Sequence, residues 1–255
     1  MSNNFPARIK ESSNKHKSKI VLALDLNYTD RDNAIIFAKN NINLLKEYIC
    51  AVKINFHLLL PLDFYSEVKE VIDLAHSYDL QAIADLKLND IGNTNEIALS
   101  HLWLGGFDAA TVSSFIGFDG LRDAISNAHE KNNGIISLLY MSHKSAADTY
   151  GLKIIDPKSG KTIHMYELFL NWVEELNADG IIVGATVPEV IKQCSDRIKN
   201  SVLIFSPGIG RQGGDARNAL ANGSDYLIIG RSILESNEPD KEAAKLREFT
   251  WKIAS

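Results

Sequence analysis

Between Ile83 and Glu96 the chain reads IADLKLNDIGNTNE, and Asp85, Lys87 and Asp90 interrupt what begins as a buried apolar strand. Residues two apart in a strand point the same way, so Asp85 and Lys87 are expected on one face. Carboxylates beside an ammonium hold it protonated, and that ammonium can stabilise developing negative charge and give up a proton. The same residue types end two earlier apolar runs, Asp25 in LALDL and Lys53 in AVKIN. A structural ion-pair network is the competing account, because buried charges persist when paired. Four charges at successive strand ends argue for a site instead.

Those ends belong to a regular pattern. Eight short apolar runs recur, near 19–25, 49–54, 81–87, 108–113, 134–141, 180–185, 202–206 and 225–230. They are continuously apolar rather than alternating, as strands of a parallel sheet covered on both faces should be. Helical stripes lie between them, at 30–47, 64–78, 93–104, 119–131, 165–177, 187–198, 214–222 and 239–253. Asn93 with Glu96 three residues on reads as the capped start of one helix. Eight strand–helix alternations predict a (β/α)8 barrel, a TIM barrel, in a single domain over 19–255 after a polar N-terminal extension over 1–18. A doubly wound open sheet is the alternative. The four charges then sit at the C-terminal strand ends, where barrel active sites lie.

The last two strands add an anion site. SPGIGRQGG follows the seventh strand and IIGRS ends the eighth, placing Gly230 and Arg231 beside a glycine-rich loop. Loops after strands seven and eight commonly hold phosphate in barrels, through backbone N–H groups and an arginine fork. A small phosphorylated molecule, anchored near Arg231 and reacting near Lys87, fits both features. Gly208–Gly213 also matches G-x-G-x-x-G, but it lies far from a first βα unit, which argues against dinucleotide binding. Ser159–Thr162 lacks the preceding glycine of a phosphate loop and reads as a polar turn. The long connection from Ser142 to His164 is either a flap or a plain excursion.

Together these segments resemble the orotidine 5′-monophosphate decarboxylase suprafamily. DLKLNDI is similar to its D-x-K-x-x-D-I signature, and LALD, VKIN, MSH, VGAT, SPGIGRQGG and IIGRS follow in the family's order across roughly 19–235. The resemblance implies release of CO2 from orotidine 5′-monophosphate (OMP) to give UMP in de novo pyrimidine biosynthesis, without metal or cofactor. It implies catalytic roles for Lys53, Asp85, Lys87 and Asp90, with Lys87 the proton donor. It implies substrate contacts from Asp25 and Lys53 to the ribose, and from Ser142 and Gln212 to the pyrimidine. Pro207 belongs to the same binding set, and Gln212, Gly230 and Arg231 would hold the phosphate. Asp90, Ile91 and Thr94 would reach the neighbouring site of a homodimer. MSHKSA departs from the family where proline and glycine commonly follow the histidine, so Lys144 and Ser145 imply a differently shaped loop. The nearest rival is a related barrel acting on a sugar phosphate through a divalent metal. Ile91, Ser142 and Gln212 favour the nucleotide.

Composition bounds the rest. A net charge of −5 gives no basic bulk for nucleic acid. No apolar run approaches a membrane span, no secretory h-region opens the chain, and the seven histidines show no zinc spacing. Cys50 and Cys194 lack metal-ligand spacing, and a reduced cytoplasmic setting is expected.

Overall fold

Each of the eight apolar runs forms a strand, and the strands close on themselves. This computed structural model describes residues 4–25, 31–198 and 202–254. The strands are β1 (Ile20–Ala23), β2 (Ala51–Ile54), β3 (Gln81–Leu88), β4 (Ala109–Ser113) and β5 (Gly134–Tyr140), followed by two short ones, β6 (Lys153–Ile155) and β7 (Thr162–His164). Then come β8 (Gly180–Val183), β9 (Leu203–Pro207) and β10 (Tyr226–Ile229). Eight of them make a closed barrel in the order β1-β10-β9-β8-β5-β4-β3-β2, every pairing parallel. Helices over Arg31–Leu45, Lys69–His76, Gly92–Leu104, Gly117–Glu130, Met165–Leu176, Pro188–Ile198, Ala216–Ala221 and Pro239–Ala254 cover the outside. Residues 1–3, at the start of the expected extension, residue 30 of the first helical stripe and Ser255 lie outside the described residues. No described helix is long and apolar enough to cross a membrane.

The stretch before the barrel is a helix, Phe5–His16, started by Asn4, whose side chain accepts from Ala7 N at 3.2 Å. Phe5 and Ile9 are fully buried, and Phe5 stacks near Phe205 inside the barrel. Arg8 reaches Asp108 and Gln81, both at 3.1 Å, and Ser12 Oγ donates to the Cys50 carbonyl at 2.7 Å. This helix packs against the N-terminal ends of the strands.

That end carries charges of its own. Asp108, Asp179 and Asp225 stand just before β4, β8 and β10 and accept N–H groups of Ala82, Ile135 and Ile204 on neighbouring strands at 2.7–2.8 Å. Burial pushes the carboxyls of Asp179 and Asp225 above their ordinary values. These carboxylates fix strand positions at the stability face of the barrel, opposite its working face.

The Ser142–His164 connection holds a short turn, Lys144–Asp148, and then the antiparallel pair β6–β7. Its tip is closed by Gly160 N donating to the Asp156 carbonyl at 2.8 Å, so Ser159–Lys161 belong to the polar turn that the composition indicates, while Thr162 already begins β7. Lys158 pairs with Glu175 at 2.6 Å, laying the hairpin against the helix Met165–Leu176.

Candidate active site

The C-terminal ends of the strands open into a cavity of about 240 Å³. Asp25, Lys53, Asp85 and Lys87 line one side, and Pro207, Gln212, Gly230 and Arg231 line another. Ser142 lies between them with Met141 and His143. Nine expected site residues therefore meet in one place. Among the described residues of 144–164, none lines this cavity.

β3 is distorted where its charges stand. Ala84 pairs with Ala110, yet the next register is Leu88 with Val112, so four residues of β3 span two of β4. Lys87 sits in this bulge with φ +48°, a left-handed conformation rarely adopted by a lysine. Strict alternation thus does not explain how Asp85 and Lys87 meet; the bulge re-aims the lysine, and such strain collects at functional sites. Lys87 Nζ lies 2.6 Å from Asp85 Oδ1, and Lys53 Nζ lies 2.6 Å from Asp85 Oδ2. Lys53 Nζ also lies 3.3 Å from Asp25 Oδ1.

Burial alone would raise the Asp85 carboxyl, but the ammonium groups of Lys53 and Lys87 outweigh it and hold its pKa well below the ordinary carboxylate range. Burial alone would lower Lys53, but Asp85 and Asp25 outweigh it and raise its pKa. Asp85 and Lys53 are both charged throughout ordinary pH.

Two partners of this array carry no charge. Asn55 Nδ2 donates to Asp25 Oδ1 at 2.8 Å, and Thr111 Oγ1 donates to Asp85 Oδ1 at 3.1 Å. Asn55 stands two residues after Lys53, and Thr111 is a polar residue inside an apolar run, so each left a faint signal.

The opposite wall depends on glycines. Gly208 has φ +94°, and a Cβ there would lie 2.7 Å from Ser142 Cβ and 3.0 Å from Gln212 Oε1. A Cβ on Gly184 would lie 2.6 Å from Ser142 Cα. Ser142 is therefore pressed between the VGAT and SPGIG segments, and Thr186 Oγ1 donates to its carbonyl at 2.9 Å. The loop from Gly208 to Gly214 folds on itself, with Gly210 N donating to Gly214 O at 2.9 Å. Arg211, beside the cavity, pairs with Glu235 at 2.6 Å.

Three expected residues lie elsewhere. Asp90, Ile91 and Thr94 are exposed and do not line the cavity. The helix that includes Thr94 starts at Gly92 with Ile91 as its cap, so Asn93 is not the cap. Asn95 orders the turn instead, donating to the Asp90 carbonyl at 2.7 Å and accepting from Asp90 N at 3.3 Å.

A model of the family described as "Orotidine 5'-phosphate decarboxylase / HUMPS family" matches residues 18–246. The chain belongs to this family. Orotidine 5′-phosphate decarboxylase from Thermococcus kodakarensis is 34% identical over 232 residues, 91% of this chain and 96% of the relative. The crystal structure of the enzyme of that name from Pyrococcus horikoshii superposes with a TM-score of 0.70 at 34% identity, covering 91% of this chain and 98% of that one. The orotidine 5′-monophosphate decarboxylase of Methanocaldococcus jannaschii, solved with the inhibitor BMP, gives 0.72 at 27% identity, covering 91% and 98%. The family match begins at Ser18, so the helix Phe5–His16 lies outside it.

Proposed function

We propose that this protein is an orotidine 5′-phosphate decarboxylase, a carboxy-lyase of pyrimidine biosynthesis that converts OMP to UMP and CO2. The observation that carries this is the Lys53–Asp85–Lys87 array facing a glycine-rich loop and Arg231 across one cavity. Arg231, Gly230 and Gln212 take the phosphate, Asp25 and Lys53 take the ribose, and Ser142, beside Gln212, takes the pyrimidine edge with Pro207 lining the same wall. C6 of the ring then faces Lys87.

Breaking the C6–carboxylate bond releases CO2 and leaves an electron pair in the ring plane, where the π system cannot delocalise it. The Lys87 ammonium stabilises that charge electrostatically, most strongly once the ligand has displaced water. It then delivers a proton to C6, giving UMP, and regains one from solvent. Asp85 holds the ammonium in place through its 2.6 Å contact. Phosphate binding, remote from the reacting carbon, supports loop closure and so the chemical step.

The working unit is a homodimer with shared sites. Asp90 and Ile91 stand in the exposed turn that leaves β3, with Thr94 in the first turn of the following helix, and Ile91 is 73% exposed. Phe56, Leu60 and Ile97, at 50%, 78% and 51% exposure, follow β2 and β3 at the same barrel end. Exposed apolar groups on these segments suit a self-complementary contact, which would carry Asp90 toward the partner's Lys87. A soluble nucleotide substrate and two buried free cysteines fit a reducing cytoplasm.

The test is purified protein with OMP and an excess of EDTA, following loss of orotidine absorbance and UMP formation. Turnover is expected with the chelator present. No UMP, or turnover that appears only on adding a divalent ion, would reject the proposal.

A further inference from the structure

We infer that Thr111 is a positioning residue that sets the Lys87 ammonium for proton delivery, an inference that rests on the decarboxylase assignment. Thr111 lies in β4 and is 1% exposed. Its hydroxyl links the two halves of the β3 bulge. Lys87 N donates to Thr111 Oγ1 at 2.9 Å, and Thr111 Oγ1 lies 3.1 Å from Asp85 Oδ1. A hydroxyl has one proton and two acceptor sites, and an ionised carboxylate only accepts. The direction is therefore set: Thr111 accepts from the Lys87 backbone and donates to Asp85.

The oxygen of Asp85 that receives this proton is Oδ1, the same oxygen that holds Lys87 Nζ. One side chain thus fixes both ends of Lys87. It holds the backbone at φ +48°, and it holds the carboxylate that positions the ammonium. The bulge takes β3 out of register with β4 at this point, and Thr111 supplies the acceptor for the Lys87 N–H. A buried threonine with a purely structural role could satisfy its hydroxyl on any backbone carbonyl. Here the proton goes to the carboxylate of the reacting array.

Valine is close to threonine in shape but leaves the Lys87 N–H without its partner and Asp85 without its third hydrogen bond. Serine keeps the hydroxyl. Thr111→Val is expected to lower kcat by about 10- to 100-fold, with UMP dissociation constant within about twofold of wild type. Thr111→Ser is expected to restore most of the lost kcat. A structural role alone would move stability and UMP binding together and would not separate kcat from binding. Wild-type kcat in the valine variant, or a serine variant as slow as the valine one, would overturn the inference. Wild-type protein that makes no UMP would reject the decarboxylase assignment instead. Crystal structures of both variants then decide the positioning role alone. In the valine protein Lys87 Nζ should leave Asp85 Oδ1 or residue 87 its left-handed conformation, and a structure with both the Asp85–Lys87 pair and the left-handed residue 87 unchanged would overturn it.

Discussion

Lys53 Nζ and Asp85 Oδ2 meet 2.6 Å apart across adjacent strands, with side chains only 7% and 12% exposed. Removing one partner of such a pair leaves a buried charge, which costs roughly 3–5 kcal/mol. Lys53→Met is therefore expected to lose about that much stability, less whatever Lys87 restores to Asp85. The Asp85 pKa is depressed on folding, so its contribution exists above the ordinary value of about 4 and is lost as pH falls through the depressed one. The Lys53 pKa is raised, so its contribution exists below about 10.4 and is lost only as pH rises through the higher folded value. The deficit of Lys53→Met in urea unfolding should be flat between about pH 6 and 9 and shrink in acid. A deficit under about 1 kcal/mol across that range would mean the pair is effectively solvated.

Lys87→Ala should abolish turnover while UMP still binds. In the proposed mechanism Lys87 supplies the proton and the charge, whereas Arg231 and the glycine loop, which line another side of the cavity, anchor the phosphate. Single-turnover kinetics and UMP titration separate the two effects. Appreciable decarboxylation by a Lys87→Ala sample free of wild type would remove the lysine from the mechanism.

Arg231→Ala should act on binding. A charge-assisted contact to phosphate is worth about 1.5–3 kcal/mol, or roughly a 10- to 150-fold loss in kcat/KM for OMP. The same change should leave slow turnover of orotidine, which lacks the phosphate, unaltered. If the variant and wild type differ equally on both substrates, Arg231 does not contact the phosphate.

How much of this was legible in the sequence depends on what each residue signals. The barrel strands were plain because both faces are covered, so each is an uninterrupted apolar run. Charged residues at their ends stood out against that background, which is why the mouth could be assembled from Asp25, Lys53, Asp85 and Lys87. Asn55 and Thr111 did not stand out, since an amide or hydroxyl near a strand end is common. The bulge was invisible, because a lysine at positive φ carries no sequence mark of the kind glycine does. The helix Phe5–His16 escaped for another reason. Its buried face is only partly apolar, and Ser12 and Ser13 occupy it by donating to backbone carbonyls. A search for hydrophobic spacing passes over such a face. Asn93 looked like a cap by type and spacing, whereas the turn is tied by Asn95 two residues later.

Asp90 provides the sharpest test of the shared site. Asp85 and Lys87 are on β3 and line the cavity, while Asp90 is in the exposed turn beyond it, its Oδ1 accepting from Ile91 N at 2.7 Å. A carboxylate there is tied into the turn that Asn95 orders. Reaching a partner's site requires only that the rim of one protomer meet the rim of the other about a two-fold axis. Lys87→Ala and Asp90→Asn should each be inactive. When their subunits exchange, a mixed dimer has one site with both defects and one with an intact Lys87 and an intact Asp90. Random reassortment makes about half the dimers mixed, so activity should recover to about a quarter of wild type. Mass-tagged subunits verify that exchange has occurred. If it has, and activity stays at the level of the parents, Asp90 works within its own chain and the shared-site arrangement is wrong.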